Sequence, residues 1–325
     1  MRTRTTVRAG WRALWTASPS LMIAGLLMVP VLLMNLSAAA VDHRLVAGAP
    51  VWIKPVKFAL STALYAFTLA WFLRYLPTTN WRTHWAPPMT AVALFIEVVV
   101  IDLQAMRGTT SHFNVATLAD ATLFAIMAVG VSAVLLAGGA IGIAVFRTRF
   151  DAPGLGLILR SSIVVFLVSS TATGVLMVTP RHDQLAAFRH DGHVGTLGAH
   201  TVGAPDGTAG IPVVGWSAQH GDLRVAHFLG LHSLQLMPLL YFIGVRRLRP
   251  ATKPRVRFAW TITASYGAAV MLLALQALVG QSIAAPTTAM LVLAVLWTAT
   301  SAAFAIWAKR ESRVPPGFAK VTARG

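Results

Sequence analysis

The chain has 325 residues, 56% hydrophobic and 11% charged, with 27 lysines and arginines against 10 acidic residues and no cysteine. Without cysteine, disulfides, thiolate catalysis, Cys-ligated zinc, iron–sulfur clusters and c-type haem are excluded. Several apolar runs of about 20 residues exclude an ordinary soluble domain and imply a polytopic membrane protein.

The apolar runs place eight spans at about 19–40, 52–75, 88–106, 118–146, 155–178, 223–245, 258–281 and 287–308. The expected fold class is therefore all-α, a polytopic membrane bundle of eight transmembrane helices with both termini cytoplasmic. Its parts are a basic cytoplasmic N-terminus (1–18), a bundle (19–308) with a long outer loop at 180–222, and a basic cytoplasmic tail (309–325). The first span has a rival reading. Ser37-Ala38-Ala39-Ala40 after the apolar run Leu21–Leu36 resembles a signal-peptide cleavage site, which would leave seven spans. The stretch before the apolar run is long for a signal peptide, so retention is the expectation.

Orientation follows from the connections. Twenty of the 27 basic residues fall in the N-terminus, the second–third, fourth–fifth and sixth–seventh loops, and the tail. That face is expected to be cytoplasmic. Seven of the ten tryptophans, Trp11, Trp15, Trp71, Trp81, Trp85, Trp260 and Trp307, cluster at the same boundary, Trp52 and Trp216 at the outer one. The net charge of +17 would suggest nucleic acid in a soluble protein. Here it reads as topology and as contact with anionic headgroups on the cytoplasmic side of the bilayer, with no nucleic-acid partner.

In chain order, span two opens on Trp52-Ile53-Lys54-Pro55-Val56-Lys57, and Lys57, Ser61 and Tyr65 form a polar stripe at four-residue spacing. Span three follows Pro87-Pro88, carries Glu97, Asp102 and Gln104 and ends at Arg107. The tight loop to Asn114 holds His112 at the rim, and Asp120 lies in the first turn of span four. Gly138 and Gly142 there read as a small-xxx-small helix contact. The outer loop, rich in Gly and His, looks irregular, either a lid or a mobile segment. Its histidines, His182, His190, His193, His200 and His220, are expected to face solvent. Trp297, mid-span, reads as packing.

Span six opens with Gly221 to Pro238, which places Asp222, Arg224, His227, His232 and Gln235 in otherwise apolar sequence. Ionisable groups at that depth are costly and by default mark function. Nine of ten histidines and eight of ten acidic residues lie outside or within the spans. At 1.5 Å per residue, Lys57, Asp102 and His227 form an upper tier roughly 7 Å deep, Glu97 and His232 a lower one roughly 15 Å deep. If spans two, three and six meet, these groups form a ladder into an outward-facing pocket. Asp102 points away from Glu97 and is expected to pair with Lys57 or Arg107. Asp222 reads as a helix N-cap, Arg224 and Arg107 as anchors or pocket residues, and Pro238 as a kink below the site.

Three functions compete. In a membrane-embedded enzyme or redox protein, His232, Glu97, His227 and Asp102 would act catalytically. His227 and His232, with His112, would hold a metal ion or b-type haem. A proton-coupled transporter would use the same ladder, and in a scaffold subunit the polar cluster would only fix helix packing. The runs GDLRVAHFLGLHSLQ, IKPVKFALS and QAMRGTTSHFN resemble an uncharacterised family of bacterial multi-pass membrane proteins, which carries no known activity. The resemblance implies that Lys57, Arg107, His112, Asn114, Asp222, Arg224, His227, His232 and Gln235 form one set. An inner (plasma) membrane location is expected.

Overall fold

The protein's computed structural model describes residues 2–77, 81–208, 210–246 and 252–310. The basic tail beyond Arg310 and residues 247–251 of the sixth–seventh connection lie outside the described residues. The chain is mostly helical. Seven helices are long and apolar enough to cross a membrane: α2 (Pro19–Val41), α3 (Ile53–Leu73), α4 (Arg82–Met106), α5 (Leu118–Arg147), α6 (Pro153–Val178), α10 (Thr252–Leu278) and α11 (Thr288–Arg310). An eighth span is formed if α8 (Leu223–Leu231) and α9 (Ser233–Val245), bent by 58° at His232, are taken as one. The seven helices and the bent pair lie close to the expected spans.

Local chemistry sets the helix starts. Ser18 Oγ accepts from Leu21 N at 3.4 Å, with Pro19 at the first position of α2. Thr117 caps α5 through Asp120 N at 3.1 Å. One expectation fails here: α4 does not wait for Pro87-Pro88 but starts at Arg82 and runs through both. Both prolines lie past the first turn, as its sixth and seventh residues, so α4 forgoes two of its own i→i−4 hydrogen bonds there.

Two groups of helices pack together. In one, α2 lies along α3, and α4 packs against α2, α3 and α5. In the other, α6, α8, α9 and α10 are mutually in contact, with α11 on the far side of α10. The contacts α5–α6 and α3–α9 join them around a core that includes Leu21, Met22, Phe72, Ile141, Leu159 and Phe166. Gly138 and Gly142 admit Phe166 and Ile163 of α6, as the small-xxx-small spacing implies. Trp297 Nε1 donates to Ser265 O at 2.9 Å and ties α11 to α10. Its reading as packing holds.

The first eighteen residues, expected only as a basic segment, contain α1 (Arg2–Ala17), whose Leu14, Trp15 and Ala17 pack on the core. At the other end of the bundle the loops are ordered. A hairpin, β1 (Leu45–Val46) and β2 (Ala49–Pro50), turns at Ala47 and Gly48, both at positive φ. The connection at 180–222 is irregular over most of its length but contains α7 (His182–Asp191) and the pair β3 (Thr201–Val202) and β4 (Gly221–Asp222). Gln184 fixes α7, accepting from Arg181 N and Gly198 N at 3.0 Å and donating to Gly198 O at 2.9 Å. Backbone bonds Val115 N→Gly195 O and Leu197 N→Phe113 O lace this loop to the one after α4.

The bend between α8 and α9 lies at His232, six residues before Pro238, which sits inside α9. Proline is not its local cause. Neighbouring side chains bond instead to the α8 backbone just before the break: Ser169 Oγ donates to Ala226 O at 3.2 Å and Tyr266 Oη to Leu229 O at 2.6 Å. Ser233 Oγ donates across to Ser162 O at 2.8 Å. Side chains inserted at helical carbonyls are a recognised origin of kinks. Gly230 lets α8 approach so closely that a Cβ would land on Ser169, and a Cβ on Gly221 would land on the Ala277 carbonyl.

Gly230→Val is therefore expected to cost about 2–3 kcal/mol by overpacking. Gly174→Ala in α6, where nothing lies within 4 Å, should be neutral or gain up to about 1 kcal/mol. Thermal melting of the purified variants in detergent measures both.

Candidate functional site

The first turns of α3 carry Lys54 and Lys57, and the middle of α4 carries Glu97. The loop between α4 and α5 folds inward, with Phe113 at φ 62°, and delivers His112 between them. Lys54 Nζ lies 2.8 Å from His112 Nδ1, and His112 Nε2 lies 3.5 Å from Glu97 Oε1. An ammonium can only donate. With Lys54 charged, Nδ1 is the acceptor and a neutral ring carries its proton on Nε2, facing the carboxylate. Burial holds the His112 pKa well below its usual value, and the charges of Lys54, His200 and His227 push it the same way. His112, expected at the rim, is largely buried and reaches from Lys54 to Glu97.

Glu97 is 6% exposed. Neither of its oxygens has a hydrogen-bond partner, and Oε2 faces α5 at Gly130, where a Cβ would lie 3.8 Å away. A second ring surrounds Lys54 and His112. Thr173 Oγ1 of α6 is 2.7 Å from His227 Nδ1. His200 Nδ1 is 2.7 Å from Asp206 Oδ2, and Asp206 also accepts from the backbone N–H groups of His200 and Thr201. Lys57 Nζ donates to Val214 O at 2.9 Å, and Arg224 Nη2 to Gly215 O and Asp222 Oδ2, each at 2.6 Å. Asp222 caps α8 and accepts from Ser217 N at 2.7 Å. Lys54 lies within electrostatic reach of Glu97, Arg224, Lys57 and Asp206.

Burial also lowers the His200 pKa, against the raising effect of Asp206. Burial pushes the Asp206 carboxyl upward, but the His200 hydrogen bond and charge and the backbone donors more than reverse this, so it lies below the usual carboxylate range.

The cluster thus brings together Lys57, Glu97, His112, Asp222, Arg224 and His227, with Lys54 added. The other candidates stand apart. Asp102 takes neither Lys57 nor Arg107 as partner: Asn35 Nδ2 of α2 donates to its Oδ1 at 3.2 Å. Arg107 bonds Asp120 at 2.6 Å, and Gln104 Nε2 bonds the same carboxylate at 2.9 Å, fastening α4 to α5. Asn114 holds its own loop through Thr109 and Thr110. His232 does not pair with Glu97 as the lower tier required. It sits at the helix break, its ring centroid 4.2 Å from that of Phe228. Gln235 Oε1, in α9, is buried without a partner.

Sequence reasoning did not single out Thr173 or Asp206, and it expected His200 to face solvent. A six-residue His–Asp spacing among glycines carries no periodic signal. His182, His190 and His193 are exposed as expected.

Among the described residues no group of three or more His, Asp or Glu is placed to hold a metal ion, and His227 and His232 lie on opposite sides of the break at 232. Two cavities, of ≈ 280 Å³ between α5 and α6 and ≈ 690 Å³ between α4 and α5, are lined by neither Lys54 nor His112. The hairpin tip at Gly48 faces the Gly207 carbonyl, and the loops roof the cluster. Comparison of the chain with family models, with curated proteins and with solved structures finds no match.

Because the pKa values of His112 and His200 are lowered on folding, the unfolded chain takes up protons first as pH falls. Stability present above the unfolded histidine value of about 6.5 is lost progressively below it. The melting temperature in detergent should therefore fall from pH 7 to pH 5, and His112→Gln should fall less over that interval than the parent.

Proposed function

We propose that the protein is a multi-pass inner-membrane protein, with both termini cytoplasmic and the looped end outside, whose buried cluster is the acid–base site of a membrane-embedded enzyme acting on a small molecule. The observation that carries this reading is His112. A loop residue spans from an ammonium, Lys54, to a carboxyl with no other partner, Glu97. A Lys–His–Glu series, hydrogen-bonded between Lys54 and His112 and 3.5 Å apart between His112 and Glu97, can pass a proton from one end to the other when that gap closes, because imidazole accepts on one nitrogen while donating from the other. Burial of an unpaired carboxyl is costly, and such groups in membranes mark proton or ligand pathways.

His227, turned by Thr173, and Arg224, held by Asp222, line the same region and would orient a ligand. Closure by the loops would exclude water, and opening them would admit substrate. The packing of α2 along α3, with Leu21, Met22 and Asn35 fully buried, supports retention of the first span. Nothing in the donor set favours the metal or haem reading. Binding to anionic lipid on the basic side remains part of the proposal.

One observation favours proton-coupled transport as a second reading. The span α8–α9 is broken near mid-membrane beside the cluster, a feature of transporters that bind at discontinuous helices. The scaffold reading has Asp102–Asn35 and Arg107–Asp120 on its side, but those pairs lie apart from Lys54, His112 and Glu97.

Infrared difference spectroscopy of the reconstituted protein under pH steps tests the relay. A protonated-carboxyl band should vanish in Glu97→Gln. Its midpoint should move by about one pH unit or more in Lys54→Met and in His112→Gln. A band unchanged by those two substitutions would leave Glu97 an isolated buried acid and remove the relay. Proton uptake driven by solute in proteoliposomes, lost in Glu97→Gln, would select transport over catalysis.

A further inference from the structure

The larger cavity has a position that the relay does not explain. It is a groove between α4 and α5, lined by Val92, Ala93, Ile96, Ile126, Val129 and Gly130 among other apolar residues. Its one hydroxyl, on Thr122, is spent on the carbonyl of Leu118 in its own helix at 2.8 Å. The walls are the exposed sides of two spanning helices: Val92 is 60% and Val129 71% exposed. In a bilayer these sides face hydrocarbon, so what reaches the groove is a lipid chain and not water. At ≈ 690 Å³ it falls within the roughly 300–1,000 Å³ of small-molecule sites.

The back of this groove meets the relay. Ala93 and Ile96, on its α4 wall, lie one turn before and directly before Glu97. Gly130, on its α5 wall, is the residue opposite Glu97 Oε2, and the absence of a side chain there brings the carboxyl up to the wall. Glu97 therefore stands between two environments, with His112 on one side and the hydrocarbon-facing groove on the other. Both of its oxygens lack partners. An unsatisfied acid against an apolar groove can complete its hydrogen bonding with the polar part of something that arrives through that groove.

We propose that the α4–α5 groove seats a hydrocarbon chain from the bilayer and opens Glu97 sideways to lipid-borne ligands, so that the small molecule served by the relay is an amphiphile with a long apolar tail. This rests on the relay reading for what Glu97 does, but the route to Glu97 is tested separately. Hydrophobic carbodiimide adds across a carboxyl O–H to give an O-acylisourea, which rearranges to an N-acylurea without a leaving group. The labelled residue thus keeps the whole reagent.

Full-length protein in phosphatidylglycerol-containing vesicles would be treated with dicyclohexylcarbodiimide or with a water-soluble carbodiimide, and Glu97 followed by peptide mass. Labelling by the membrane-soluble reagent alone is expected, abolished in Glu97→Gln. It should slow at least tenfold in Val129→Trp and in Val92→Trp, which fill the groove from exposed positions that the core does not need. A photoactivatable acyl-chain phosphatidylglycerol should crosslink to α4 or α5, and less so in the same two variants. Equal labelling by both reagents, no labelling by either, or rates and crosslinks indifferent to the tryptophans would overturn the proposal. A failed relay shows differently, as an infrared band insensitive to Lys54 and His112 while the labelling pattern persists.

Discussion

A carboxyl group near the middle of an apolar bundle has to be answered by something, and the loop-bearing half of this molecule is organised around the answer. Water cannot reach Glu97 freely, and no neighbour on α3 or α5 hydrogen-bonds to it. What faces it is an imidazole from outside the helices. To bring His112 there, the chain folds an eleven-residue connection inward and holds it by backbone bonds to the second loop. Lys54 then fixes which nitrogen of the ring carries the proton. The ordered roof, the α3 lysines and the closeness of α5 at Gly130 all serve that placement.

The same constraint accounts for the rest of the cluster. A cationic side chain below a roof of loops needs acceptors, and the backbone supplies them: Val214 for Lys57, Gly215 for Arg224. Each acidic group near them is held by several donors, Asp222 by Ser217 and Arg224, Asp206 by His200 and Thr201. Buried polar groups are satisfied almost everywhere in proteins. Glu97, which is not, therefore stands out among the acidic groups of the cluster.

The spans were legible because a run of about 20 apolar residues has few other uses, and the structure places seven long apolar helices, and the bent pair α8–α9, close to where that pattern put them. Depth along a helix was legible too, since rise per residue is constant. Direction across the bundle was not. Asp102 and Glu97 share α4, yet one turns to Asn35 on α2 and the other to His112, and only packing decides that. The bend at His232 escaped because its causes, Ser169 and Tyr266, belong to other helices, while the visible proline at 238 is accommodated within α9. His112 and His200 were hardest. Loops have no period, so nothing in the sequence says that these two turn inward while His182, His190 and His193 turn out.

The account depends on a neutral His112 that accepts from Lys54 and presents Nε2–H to Glu97. Solid-state NMR of the protein, 15N-labelled at histidine and reconstituted in bilayers at neutral pH, reads that state directly. The prediction is a neutral ring protonated at Nε2 whose Nδ1 signal shifts in Lys54→Met and which exchanges slowly with water. A His112 signal that titrates and exchanges like a surface imidazole, indifferent to Lys54, would contradict it.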